Sequence, residues 1–92
     1  MAQVIARRFT VQGRVQGVGY RWFARQEAEA LRIRGYVRNL RNGDVEVYAI
    51  GAPETLEQLR AILEQGPFGA RVTAVQEQEA PLEPHSSFEI TF

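Results

Sequence analysis

Residues able to do chemistry are concentrated in one stretch of this sequence, Gln16-Gly17-Val18-Gly19-Tyr20-Arg21. Glycines at alternate positions let successive backbone N–H groups converge into an anion-binding concavity, and a helix starting there adds its unpaired first-turn amides and the positive end of its dipole. Arg21 supplies a planar fork of donors matched to the oxygens of a phosphate. Residue types alone fit a second reading as well, a flexible strand-to-helix turn followed by a solvated arginine. Sharper phosphate motifs fail. A Walker loop needs Gly-Lys-Ser/Thr and the chain has no lysine; a dinucleotide fingerprint needs a third glycine where Trp22 stands. The cysteine-phosphatase loop carries its nucleophile six residues before the arginine, and that position is Val15. What remains is an anion cradle without a protein nucleophile.

Asn39 has both a donor and an acceptor on one side chain, so it can orient a water molecule or cap backbone groups of the turn that follows it. His85 lies in a proline-bearing loop with no serine or carboxylate in a catalytic arrangement and reads as a surface histidine. The absence of cysteine excludes disulfides, thiolate zinc sites and cysteine nucleophiles. No metal and no cofactor is expected.

Those residues must be held by a small scaffold. With 92 residues, 45% apolar and 24% charged, one globular domain spanning 1–92 is expected, with core enough to fold without staples. No apolar run reaches the ~18 residues needed to span a bilayer, and the start has no signal-peptide character, so a soluble cytoplasmic protein is expected. From Arg8 to Val15 apolar residues alternate as in a half-buried strand. Tyr20, Phe23, Ala24, Ala28 and Leu31 then recur at helical spacing, and the helix is expected to end near Gly35. Tyr36 to Leu40 and Val45 to Ile50 read as a hairpin around Arg41-Asn42-Gly43-Asp44, with positive φ expected at both Asn42 and Gly43. Leu56, Leu59, Ile62 and Leu63 mark a second helix between Pro53 and Gly66. Val72 to Glu79 is strand-like, Pro81 to Ser87 a polar loop, and Phe88 to Phe92 a last alternating strand. The order implies an α+β, ferredoxin-like β-α-β-β-α-β sandwich, with two helices on one face of an antiparallel sheet and a short extra C-terminal strand. In it, the loop after the first strand and the turn after the second can lie close together.

The formal net charge of zero conceals a polarity. Residues 1–41 carry nine arginines against two glutamates, and residues 42–92 carry nine acids against two arginines. A basic half is compatible with nucleic acid, with an anionic small substrate, or with two layers of a fold that neutralise each other.

Gly13-Arg14-Val15-Gln16-Gly17-Val18-Gly19-Tyr20-Arg21 resembles the signature of the acylphosphatases. A second block, Gly35-Tyr36-Val37-Arg38-Asn39 followed by Gly43, Val45 and Gly51, is similar to that family's other signature. Gly66-Pro67, Ala70, Val72 and the closing aromatic strand extend the likeness over nearly the whole chain. Tyr20 departs from it, phenylalanine being more usual there. The resemblance implies hydrolysis of acyl phosphates, such as acetyl phosphate, carbamoyl phosphate or bisphosphoglycerate, to a carboxylate and free phosphate. It assigns phosphate binding to Arg21 and water positioning to Asn39, with the Gln16, Gly17, Val18, Gly19 and Tyr20 loop holding the phosphoryl group. The chemistry is self-consistent, because a carboxylate leaving group of pKa ~4 departs without a general acid. The partner implied is a small acyl phosphate, met by a monomer that engages neither nucleic acid nor membrane. Two rivals remain: an RNA-recognition domain of the same element order, disfavoured by Glu46 on the third strand, and a regulatory module like the acylphosphatase-like domain of larger hydrogenase-maturation carbamoyltransferases. The length of the chain favours the free enzyme. Trp22, off the apolar stripe, is left between covering the sheet and bordering the site, and the Phe92 carboxylate is an open candidate partner for Arg21.

Overall fold

Apolar residues on alternate positions and on helical stripes draw the chain into seven elements, and the computed structural model describes them over residues 3–92. They are β1 (Ile5–Arg14), α1 (Tyr20–Ala30), β2 (Arg34–Asn39), β3 (Val45–Gly51), α2 (Pro53–Gln65), β4 (Arg71–Ala80) and β5 (Phe88–Ile90). The sheet order is β4-β1-β3-β2-β5. Four strands pair antiparallel, as expected for the ferredoxin-like arrangement. The short extra C-terminal strand is present as well, and its direction, which the element order left open, is parallel to β2: Val37 lies opposite Ile90, and Thr91 N–H donates to Val37 O at 2.9 Å. It stops at Ile90, two residues short of the expected end.

Tyr20, Ala24 and Ala28 of α1 and Leu56, Leu59 and Leu63 of α2 meet Phe9, Val11, Val37, Val45 and Val47 of the sheet in one core. Each fully buried leucine contributes about 1.5–3 kcal/mol by burial alone. Because β3 lies between β1 and β2 and runs antiparallel to both, the C-terminal ends of β1 and β2 emerge at the same end of the sheet. β5, parallel to β2, ends there too.

β1 begins at Ile5 rather than Arg8. Alternation is lost in its first residues because both faces are covered there, Ala6 packing with Tyr48 and Ile50 on the side away from the helices. That outer face is roofed by the 81–87 segment. Tyr36 and Tyr48 stack with centroids 5.4 Å apart, His85 tilts against both, and the Tyr48 hydroxyl donates to Pro81 O at 2.6 Å. Glu46 is buried beneath, accepting from Arg38 Nε at 2.9 Å and the Tyr36 hydroxyl at 3.0 Å. Arg7 pairs with Glu77 and Arg38 with Glu46, so basic first-half residues meet acids of the second half within the sheet.

Two local signals resolve differently from expectation. The helix α1 ends at Ala30, not near Gly35, in a Schellman turn: Ile33 N–H donates to Ala28 O and Arg32 N–H to Glu29 O, with Arg32 at φ 60°. Gly35 serves β2 instead, at φ 140°, where any Cβ would overlap Tyr48 O of β3. In the hairpin only Gly43 takes positive φ, at 99°. Gly43 N–H donates to Leu40 O and Leu40 N–H to Asp44 O, a type I turn closed by a glycine bulge. Asn42 keeps negative φ because its side chain is used locally, Oδ1 accepting from Asp44 N–H at 3.0 Å.

Candidate active site

The loop between β1 and α1 is tied to the β2–β3 hairpin by a single side chain. Gln16 Nε2 donates to Leu40 O at 2.7 Å and to Asp44 O at 2.9 Å. One amide group thereby brings the glycine loop beside the end of β2, where Asn39 stands. Among the described residues, none of the amides of Gln16 through Trp22 makes a hydrogen bond of ordinary length and angle. Gly19 occupies the N-cap of α1 in the left-handed region, at φ 78°, and brings no capping side chain. The first turn of α1 contains no acid, whereas that of α2 contains Glu54. The positive end of the α1 dipole thus faces outward uncompensated by its own sequence.

These features border one cleft of about 350 Å³. Gly17 and Gly19 line it from the loop, Arg21 and Trp22 from α1, Asn39 from β2, Ile90 from β5 and Phe92 from the residues that follow it. The two residues marked out as chemically important by the sequence, 18 positions apart, therefore meet in one site. Arg21 is half-buried and makes no ion pair among the described residues. Its guanidinium lies 5.0 Å from the centroid of the Phe92 ring, and Nη1 is 3.5 Å from Thr91 O. The chain terminus meets Arg21 through an aromatic face and a carbonyl, not through the carboxylate.

Not every loop residue points its side chain inward. Val18 packs against the core, and Gln16 is consumed in holding the hairpin. Tyr20 is buried, its ring edge-on to Phe23 and its hydroxyl donating to Leu63 O at 2.6 Å. Burial drives its phenol well above the ordinary value. For these three, only the backbone can serve a ligand. Trp22 stands at the cleft, 61% exposed, which decides between the two positions open to it. Ile90 and Phe92 are lining residues without a local signal, because it takes the parallel pairing of β5 with β2 to bring the end of the chain beside the loop. A larger groove of about 510 Å³ near Ile5, Arg7 and Leu82 contains none of the expected site residues. No group of three or more His, Asp or Glu suited to a metal ion occurs among the described residues.

The family model for Acylphosphatase matches residues 7–90. The chain belongs to the acylphosphatase family. An acylphosphatase of Solibacter usitatus is 51% identical over 85 residues, covering 92% of this chain and 88% of that one. The solved structure of an acylphosphatase from Coxiella burnetii superposes with a TM-score of 0.92 at 38% identity, covering 96% and 93% of the two chains. Full-length HypF in its phosphate- and nucleotide-bound form matches all of this chain with a TM-score of 0.87 at 25% identity, but over only 12% of its own length. Membership makes the protein an acylphosphatase by enzyme class. The outer sheet face is correspondingly unlike a base-stacking platform: Tyr48 has no exposed surface, with Tyr36 and His85 against its ring. Among the described residues no helix is long and apolar enough to cross a membrane.

Proposed function

We propose that the chain hydrolyses acyl phosphates by in-line attack of water at phosphorus, without a metal ion and without a covalent enzyme intermediate. The observation that carries this reading is the meeting of Arg21 and Asn39 with unpartnered loop amides in one cleft. The amides from Gln16 to Tyr20 and the Arg21 fork hold the phosphoryl oxygens, where charge is already high and remains so in a loose transition state. The Asn39 side chain orients a water opposite the bridging oxygen. The water oxygen bonds to phosphorus, the bond from phosphorus to the bridging oxygen breaks, and the electron pair leaves with the carboxylate. The water proton goes to a phosphoryl oxygen, so neither a general acid nor a side-chain base is needed. The physiological partner is then a small acyl phosphate recognised at its phosphoryl end.

Phosphate release from benzoyl phosphate, with a phosphate monoester alongside, tests the substrate class. Turnover of the anhydride alone, undiminished by a chelator, is expected. In ¹⁸O-labelled water the label should enter phosphate and not benzoate; label in benzoate would mean attack at the carbonyl and would sink the mechanism.

A further inference from the structure

One end of the molecule carries two kinds of surface that folding leaves unpaired. Strand β4 is antiparallel to β1, with Arg71 opposite Arg14, so the 66–70 turn that leads into β4 lies at the same end of the sheet as the glycine loop, the β2–β3 hairpin and the end of the chain. Those four segments, 14–22, 39–44, 66–71 and 91–92, hold four arginines against one acidic side chain, Asp44. Arg14, Arg41 and Arg71 are exposed, and none of them makes an ion pair among the described residues. Like charges directly opposite on neighbouring strands are destabilising, so a register that sets Arg14 against Arg71 is relieved by an anion supplied from outside. Three of the five large apolar side chains exposed among the described residues stand on the same segments, Trp22, Phe68 and Phe92, and all three are aromatic. The Phe68 ring is wholly exposed, in a turn between Gly66 and Gly69, both at positive φ. A ten-residue strand such as β4 spans ~33 Å, so the strands run along the 38 Å axis of the molecule and this end is a cap about 23 Å across.

We propose that this cap docks reversibly on the surface of an anionic lipid bilayer, with Phe68 and Trp22 in the headgroup interface and Arg14, Arg41 and Arg71 on the lipid phosphates. Aromatic rings are favoured at headgroup level, and each arginine near a negatively charged leaflet adds an attraction that fades within a Debye length. The shape favours a bilayer over a folded partner. Rings that project singly from a cap, alongside arginines, offer no continuous apolar core of the kind a protein interface buries, whereas a fluid surface closes around each ring. Phe68 belongs neither to the cleft lining nor to the core, so its exposure serves no contact within the molecule. Docking of this kind needs no spanning segment, and among the described residues no helix supplies one. The cleft opens on the same cap, so a docked molecule turns it toward the bilayer surface.

Co-sedimentation with vesicles tests the surface. The protein is expected to pellet with vesicles of phosphatidylglycerol mixed with phosphatidylcholine, to stay in solution with phosphatidylcholine alone, and to be released from the anionic vesicles by salt. Trp22 is the sole tryptophan, and its emission should move to the blue on the anionic vesicles. Phe68→Ser should weaken binding about 10-fold or more, and Phe68→Trp should preserve it. Arg14→Gln and Arg71→Gln should each weaken it about 5-fold. Leu82→Ser, which removes an exposed apolar side chain at the opposite end of the sheet, should leave it unchanged. All four positions are exposed, so thermal midpoints at the wild-type level are expected and show that each variant is folded. Failure to pellet with anionic vesicles, equal binding to neutral ones, a loss in Leu82→Ser that matches the loss in Phe68→Ser, or tighter binding to single-stranded RNA than to the vesicles would each overturn the docking surface. None of these outcomes bears on the hydrolysis proposed above, which is measured on benzoyl phosphate without lipid.

Discussion

Arg21 combines a fixed positive charge with a planar pair of donors, and both properties enter the proposed chemistry. Arg21→Ala is expected to weaken inhibition by inorganic phosphate and to lower turnover by roughly 10² or more, since a preorganised charged donor is lost where the phosphoryl oxygens sit. Lysine should restore little of this, because it offers a point charge without the fork and without the flat surface that meets the Phe92 ring. Unaltered phosphate inhibition in folded Arg21→Ala protein would remove Arg21 from the binding role. Asn39 separates binding from chemistry. If it orients only the attacking water, Asn39→Ala should collapse kcat while the phosphate inhibition constant stays within a few-fold, as for an interaction made mainly in the transition state. A lowered thermal midpoint with normal turnover would instead reduce Asn39 to a turn residue at the end of β2.

At the scale of elements, the two helices each end in a way that specific residues must repair. The Leu63 carbonyl in the last turn of α2 would ordinarily accept from the N–H four residues on, but that residue is Pro67 and has none. The Tyr20 hydroxyl of α1 fills the gap at 2.6 Å, joining the start of one helix to the end of the other. Tyr20→Phe, although the more usual residue of the family, is expected to cost about 1–2 kcal/mol here, because it leaves a buried carbonyl unpaired. Urea midpoints of the two proteins measure it, and equal midpoints would show that the carbonyl finds another donor. The end of α1 is held by Arg32, an exposed non-glycine residue at φ 60°. Arg32→Gly relieves that strain and is expected to raise stability by about 1 kcal/mol, net of the added freedom of the unfolded chain. A lowered midpoint would mean that the arginine side chain contributes more than its backbone conformation costs.

For the whole molecule, part of the charge polarity of the two halves is met within the sheet. β1 lies between β3 and β4, and the pairs Arg7 with Glu77 and Arg38 with Glu46 neutralise arginines of the first half with acids of the second. Global stability should therefore depend on pH chiefly where buried groups titrate. Burial raises the Tyr20 phenol above its ordinary value of 10.0. Below pH 10 both folded and unfolded states hold the proton and the contribution is fully present. As pH rises beyond it, only the unfolded chain ionises, so stability falls by about 1.4 kcal/mol per pH unit for this one proton until the folded group titrates. Tyr36 is raised in the same direction, by burial and then by its bond to Glu46, and adds to the slope. Denaturant midpoints between pH 9 and 11.5 should thus decline, and Tyr20→Phe should decline less steeply; parallel curves would mean that Tyr20 is not the group responsible.

What the sequence by itself determined is what short windows encode. The glycine loop, both helices, the β2–β3 hairpin and the element order were legible because periodicity and turn chemistry act over a few residues. Arg21 and Asn39 were legible as candidates because two local signatures contained them, and the fold places both on one cleft. Even locally the competition between signals was hidden: a side-chain bond from Asn42 displaced the expected turn, and Arg32 took the helix cap that Gly35 was expected to mark, since Gly35 was needed for close approach to Tyr48 O. The tertiary structure alone decided the contacts between distant segments. Gln16 reaches Leu40 across 24 positions, Tyr20 reaches Leu63 across 43, and Arg21 reaches Thr91 across 70. The parallel return of β5, which brings Ile90 and Phe92 to the cleft, and the roofing of Tyr48 by the 81–87 segment are of the same kind. Such contacts form only once the chain has closed long loops around a shared core, so no single window of residues carries them.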